Sequence, residues 1–251
     1  MEALDATAID VPGMQVRVLG RCTSTNEVLL SAGTADVLLA AEEQTAGRGR
    51  RGRRWRSNPG KAVTFSIAKL VGRPLHELGA LSLATGVGAA RALHALGASE
   101  VALKWPNDLV LGRAKLGGIL VQTRSQGHGV LAVIGIGINC RHDAALATRL
   151  RRPVAALESL ITVERNRLIQ ALARSVLQAL ALFEAHGLEP LRAEWERMHA
   201  HAGARVRVRL VDGRVITGIA RGLESNGALR LQTGARVRAL SGASVVSARP
   251  A

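Results

Sequence analysis

Runs of apolar residues in two periods divide the chain into elements. Val16 to Leu19 reads as a short strand. Ser24-Thr25-Asn26-Glu27 has the Ser-x-x-Glu form of a capping box, and predicts a helix that runs to about Ala32 and stops at Gly33. Val37 to Ala41 is uniformly apolar, as a buried strand should be, and Ala62 to Ala68 alternates like another. Between them, from Thr45 to about Gly60, lies a loop rich in glycine and arginine. Leu78, Leu81, Ala84, Val87, Gly88 and Leu96 recur at helical spacing and predict one long helix over 75–96. Strands are expected at 101–104, 108–111, 115–122 and 130–138, with a tight turn at Gly112-Arg113. The polar, Arg-rich stretch 143–153 reads as loop, and 163–186 and 190–200 read as helices with apolar faces.

The texture changes after Gly203. Arg205 to Leu210 alternates strictly, and 215–223, 228–231 and Val245-Val246 follow, with turns at Asp212-Gly213 and Asn226-Gly227. Short strands with turn signals at this spacing predict a small β-barrel. The expected division is therefore a domain at 1–202 and a barrel at 203–251.

Composition narrows the possibilities. Hydrophobic residues make up 47% and charged residues 21%, ample for a globular core. No run of about 18 uncharged apolar residues is present, so no membrane span is expected. Glu2, Asp5 and Asp10 give the N-terminus the wrong polarity for a secretory signal. Two cysteines, Cys22 and Cys140, suit a reducing compartment, and a cytoplasmic location is expected. The net charge of +15 raises nucleic acid as a ligand. Against it, the arginines are spread along the whole chain, and two Phe, three Trp and no Tyr supply a base-stacking surface poorly. No nucleic acid is expected; the charge suits anionic substrates and acidic protein partners. All but four of the 34 basic residues are arginine, so Lys61, Lys69, Lys104 and Lys115 stand out.

Three segments carry candidate chemistry. Gly47, Gly49 and Gly52 satisfy G-x-G-x-x-G, but Pro59-Gly60 and a strand follow where a dinucleotide fold needs a helix. Glycines with interleaved Arg48, Arg50, Arg51 and Arg53 still suit phosphate, although an exposed basic loop has the same composition. Trp105-Pro106-Asn107-Asp108 is plausible as a turn alone, yet Lys104 and Lys115 flank it, and Gly117-Gly118 lets backbone approach a ligand closely. In Val133 to Asn139 glycines alternate with isoleucines, leaving one strand face bare for a helix crossing or for a flat ring.

Ser24-Thr25-Asn26, Gln44 to Arg53 with Trp55, Lys104 to Asp108, Lys115 to Val121 and Gly135 to Asn139, in this order, resemble the biotin protein ligase family. The likeness extends over about residues 16–251. It implies an α+β fold: a mixed β-sheet backed by helices, of the class II aminoacyl-tRNA synthetase and biotin ligase type, followed by a small SH3-like β-barrel. It also implies an ATP-dependent ligase that forms biotinyl-5'-AMP and transfers biotin to a lysine of a biotin carboxyl carrier protein, the acetyl-CoA carboxylase subunit. Some members add an N-terminal DNA-binding domain; the residues before Ser24 are too few for one, so no repressor role is expected. The resemblance leaves monomer or homodimer open.

By the same resemblance Ser24, Thr25, Asn26 and Gln44 surround biotin's ureido ring, and Arg48, Gly49 and Arg50 belong to a loop that closes over biotin and the adenylate, with Arg50 also a catalytic and ATP-binding residue beside Lys115 and Asp108. Arg51 and Arg53 face pyrophosphate, and Trp55 and Asn139 face adenine. Lys115 touches the biotin carboxylate and α-phosphate. Asp108 orients the acceptor lysine or takes its proton, and Lys104 either pairs with Asp108 or reaches phosphate. Mg²⁺ is expected with ATP, where it keeps its waters and needs few protein ligands. The chain departs from the family in an extra residue before Pro59, in Gln122 where an acidic residue is common, and in Ser241 to Ser244, which puts a barrel contact to ATP in doubt. A lipoate or octanoate protein ligase of the same architecture and a basic nucleic-acid-binding protein are the alternatives.

Overall fold

The computed structural model describes residues 3–127, 129–150 and 153–249. Seven strands form a mixed sheet: β1 (Gln15–Cys22), β2 (Val37–Gln44), β3 (Ala62–Val71), β4 (Val101–Lys104), β5 (Asp108–Leu111), β6 (Ala114–Gln126) and β7 (Gly129–Asn139). Their order is β1-β2-β3-β7-β6-β5-β4, with only β1 and β2 parallel. The uniformly apolar β2 is explained by burial on both faces. Val37 and Leu39 pack with Leu29 of α1 (Thr25–Ala32), while Leu38 and Ala40 face the larger core beneath α2 (Leu81–Ala95) and α4 (Arg165–His186).

Two sequence expectations need correction here. The predicted helix over 75–96 begins as a 3-10 turn, Leu75–Ala80, after Pro74, and is α-helical only from Leu81. The stretch expected as loop contains a short helix, α3 (Ala144–Leu150); its Ala-rich sequence has good helix formers, and Arg151 and Arg152 lie outside the described residues.

Helix α2 crosses α4 at Gly88. A Cβ there would lie 2.7 Å from Val176 Cα and 2.8 Å from Ser175 O, both backbone atoms that cannot rotate away. Gly88→Val is expected to destabilise the fold by at least about 2 kcal/mol, read as a lowered urea midpoint. Helix α4 is long and apolar enough to cross a membrane by length and composition, yet its Leu168, Ile169, Leu172, Val176 and Phe183 are buried in the core.

After α5 (Glu189–Arg197) the chain runs beside β4: Leu103 N–H donates to Met198 O and Ala200 N–H to Leu103 O, each at 2.8 Å. This covers the sheet edge that β4 would otherwise expose. It also buries His199, 6% exposed, against Trp195 at 4.6 Å and His201 at 5.9 Å, with neither His199 ring nitrogen bonded. Burial, aided by His201, holds the His199 pKa down at about 3. The folded state therefore resists a proton that the unfolded chain accepts below about pH 6.5. Stability is expected to fall as pH drops from 6.5 toward 3, by about 2 kcal/mol at pH 5 from His199 alone. His199→Phe should flatten that loss in urea titrations at pH 7 and pH 5.

The second sheet is antiparallel, in the order β11-β10-β9-β8-β12. Its strands are β8 (Arg205–Arg209), β9 (Val215–Leu223), β10 (Leu229–Thr233), β11 (Arg236–Leu240) and β12 (Ser244–Arg249). Strand β11 was not expected from the sequence; it is an edge strand whose residues are exposed up to Leu240, so burial left little pattern to read. The two sheets share one core through Val206, Val208, Ala220, Leu223, Leu229 and Leu231. Trp105 Nε1 donates to Gly227 O at 3.1 Å, and Leu223 N–H donates to Glu196 Oε1 at 2.8 Å. These contacts fasten β9 and the β9–β10 turn to the first domain.

Candidate active site

A cleft of about 350 Å³ opens over the β3–β7–β6 side of the large sheet, and β12 forms part of its rim. Its walls come from the start of α1, the end of β2, the 48–55 loop, the 104–108 turn, Lys115, the glycines of β7 and Ala243 to Val246. The barrel thus borders the cleft, although Ser241 to Ser244 departs from the family pattern. Ser24, Thr25, Asn26, Gln44, Arg48, Gly49, Arg50, Arg51, Arg53, Trp55, Lys104, Asp108 and Lys115 all line it. Asn139 does not.

The capping-box form of Ser24-Thr25-Asn26-Glu27 is not used as a capping box. Ser24 is the N-cap residue, but its side chain makes no cap hydrogen bond. The Thr25 N–H is instead accepted by Gln44 Oε1 at 2.8 Å, and Glu27 pairs with Arg48. The helix start is completed by a neighbouring strand, which leaves Ser24, 2% exposed, facing the cleft.

The 47–55 loop is a small hairpin. Gly49 N–H donates to Arg53 O at 2.7 Å, Trp55 N–H donates to Gly47 O at 2.9 Å, and Arg48 bridges Arg54. Its tip is a 3-10 turn, Arg50–Gly52, with Arg51 and Gly52 at positive φ (56° and 70°). The hairpin lies across the cleft and is held at both ends. Arg48 reaches Glu27 on α1, and the Arg51 guanidinium donates to Gly242 O of the barrel. Arg50 turns inward. Burial lowers its pKa, the nearby Arg51 charge adds to this, and Asp108 opposes it. A guanidinium stays charged regardless, so the site concentrates positive charge in a half-enclosed space.

Lys115 lines the same cleft. The β5–β6 register slips between Leu109, opposite Gly117, and Val110, opposite Lys115. The extra residue, Leu116, is fully buried, and the bulge turns Lys115 into the cleft. Lys115 Nζ pairs with Asp108 Oδ1, each side chain 21% exposed. Gly118 lies beneath, where a Cβ would stand 3.1 Å from the ammonium. The backbone of Lys115 is tied to a segment that sequence reasoning missed: its N–H donates to Pro153 O at 3.3 Å, and Ala155 N–H donates to its carbonyl at 2.9 Å. Lys104 lies on the same wall, with His201 behind it.

The bare face expected on β7 is occupied by the protein itself. A Cβ at Gly135 would lie 2.2 Å from Asn26 Oδ1, and one at Gly137 would lie 2.5 Å from the Trp55 ring. Over Gly137 a flat ligand therefore meets the Trp55 indole. Trp55 Nε1 is buried without a partner. Asn139 points away from the cleft and donates to Ala155 O at 3.0 Å and to Lys115 O at 3.4 Å. Among the described residues no three carboxylates, imidazoles or thiols converge to hold a metal.

Fold and site together define a ligase-type domain whose large cleft gathers short polar groups with arginine and lysine side chains. The chain belongs to the biotin protein ligase family. Residues 19–139 match the Biotin/lipoate A/B protein ligase family, and residues 201–246 match the Biotin protein ligase C terminal domain. A biotin–[acetyl-CoA-carboxylase] ligase of Mycobacterium tuberculosis is 34% identical over 249 residues, covering 94% of this chain and 90% of that one. The bifunctional ligase/repressor BirA of Escherichia coli is 38% identical over 229 residues, covering 88% and 70%. Among solved structures, the Aquifex aeolicus biotin protein ligase in complex with biotin and ATP shares the fold, with a TM-score of 0.78 at 23% identity over 94% of this chain and 99% of that one. The Helicobacter pylori biotin acetyl coenzyme A carboxylase synthetase, with bound biotinylated ATP, gives 0.63 at 26% identity over 89% and 99%.

Proposed function

We propose that the chain activates biotin with ATP as biotinyl-5'-AMP and transfers it to a lysine of a biotin carboxyl carrier protein. The observation that carries this reading is one cleft lined by the Lys115–Asp108 pair, by Arg50 within reach of the Asp108 charge, and by Ser24, Thr25 and Gln44.

In the first step the biotin carboxylate attacks the α-phosphate and pyrophosphate leaves. Lys115 neutralises the carboxylate and phosphate oxygens as they converge, while Arg50 covers the opposite side. Arg53 at the exposed hairpin edge receives the departing pyrophosphate. Arg51 serves this group as well, by leaving Gly242 when nucleotide arrives. Trp55 offers the adenine a flat face. Asn139 acts from behind, by holding the Lys115 and Ala155 backbones in place. Mg²⁺, expected with ATP, would supply further charge neutralisation at the phosphates.

In the second step the acceptor amine attacks the acyl carbon and AMP leaves. Asp108, already bonded to one ammonium, is placed to hold a second or take its proton. Closure of the hairpin keeps water from the anhydride until then.

Incubation with biotin, ATP, Mg²⁺ and a carrier domain should add one biotin mass to the carrier, and none to a carrier whose acceptor lysine is arginine. Transfer of lipoate or octanoate in preference to biotin would overturn the assignment.

A further inference from the structure

The polar groups behind the closed end of the cleft admit only one arrangement of hydrogens. Asn26 Nδ2 lies 3.2 Å from Leu120 O and 3.0 Å from Gln122 Oε1. A backbone carbonyl only accepts, so the amide nitrogen is on that side, and Asn26 Oδ1 is the atom 2.6 Å from Ser66 Oγ. The Ser66 hydroxyl must donate there. Having spent its one proton, Ser66 must accept in its 2.6 Å contact with Thr25 Oγ1, so the Thr25 proton is spent as well. Gln44 Oε1 accepts from the Thr25 N–H at 2.8 Å, which leaves the Gln44 amide NH₂ on the other side. The Thr25 hydroxyl could otherwise donate to Gln44 Oε1 at 3.2 Å; with its proton held by Ser66 at the shorter 2.6 Å, Thr25 Oγ1 presents only lone pairs, beside the Gln44 oxygen.

We propose that Ser66, backed by Asn26, is a positioning residue that fixes the Thr25 hydroxyl as a hydrogen-bond acceptor toward the substrate. The site then selects a ring N–H adjoining a carbonyl. The N–H is taken by Thr25, and the Gln44 NH₂ is left to donate to the carbonyl. Ser66 is fully buried and Thr25 and Asn26 are 3% exposed, so water does not reset these hydroxyls. An acid whose ring bears an oxygen or sulfur in place of that N–H sets lone pair against lone pair. The inference rests on the biotin reading and supplies its specificity for a cyclic urea.

The test measures kcat and KM for pyrophosphate release with biotin and with two cyclic carbamate analogues, each having one ring N–H replaced by oxygen. The unmodified chain should disfavour one analogue by at least about 100-fold in kcat/KM, since a buried acceptor is left unpaired. In Ser66→Ala the Thr25 proton is released and can turn to the ring oxygen. Discrimination against that analogue should fall by about tenfold or more, while kcat with saturating biotin changes less than about threefold. Ser66→Cys places a bulkier and weaker donor at the same position and should fall between. Discrimination unchanged in both Ser66 variants, or absent in the unmodified chain, overturns the proposal. Absence of biotin-dependent pyrophosphate release from the unmodified chain overturns the ligase reading beneath it.

Discussion

Lys115→Ala is expected to slow biotin-dependent exchange of pyrophosphate with ATP by about 10²–10³-fold, the scale of one lost contact to developing charge. The ammonium is held in the cleft by three features: the bulge at Leu116, the Asp108 partner and the absence of a side chain at Gly118. The pair is partly exposed, so its loss should cost the fold little, and an unchanged urea midpoint would separate chemistry from stability. Lys115→Arg should recover only a small part of the rate, because a planar fork over Gly118 cannot reproduce a compact charge. Near-normal exchange in the alanine variant would remove Lys115 from the reaction.

Arg50→Gly is expected to act on retention rather than on formation of the intermediate. Arg50 is the hairpin residue turned into the cleft, whereas Arg48 and Arg51 hold the hairpin to α1 and to the barrel. With the inward cation gone and glycine at the tip, the hairpin should close less firmly. Loss of a charged hydrogen bond worth about 1.5–3 kcal/mol corresponds to escape of the adenylate roughly 10–100-fold faster. The readout is biotin on bystander proteins mixed with the variant, at lysines that the unmodified chain leaves untouched. Strict retention of a single acceptor lysine would show that closure does not depend on Arg50.

Much of this architecture is legible before any coordinates. The apolar run of β2 reports burial on both faces, and the alternation of β8 reports a half-buried strand. The site motifs are legible where chemistry is concentrated in a few adjacent residues: the glycine–arginine hairpin, and the stretch from Lys104 to Lys115. Relations across long sequence separation leave no such mark. Ser66 reads as one more position of an alternating strand, yet it bonds Thr25 and Asn26 about forty residues away. Glu27 reads as part of a capping box because its spacing from Ser24 fits; its actual partner, Arg48, is on another element. The glycines of β7 do signal a close approach, but not that Asn26 and Trp55 make it. Pro153 and Ala155 support Lys115 from a segment whose composition looks like loop.

The central claim is that Lys115 and Arg50 face each other across a carboxylate joined to a nucleotide. Mass spectrometry of the protein after incubation with biotin, ATP and Mg²⁺ tests it most directly. The expected result is one biotinyl-5'-AMP bound per chain, formed with one pyrophosphate released, and lost in Lys115→Ala. Biotin and ATP recovered unreacted from the unmodified chain, or an adenylate of equal yield in Lys115→Ala, would contradict it.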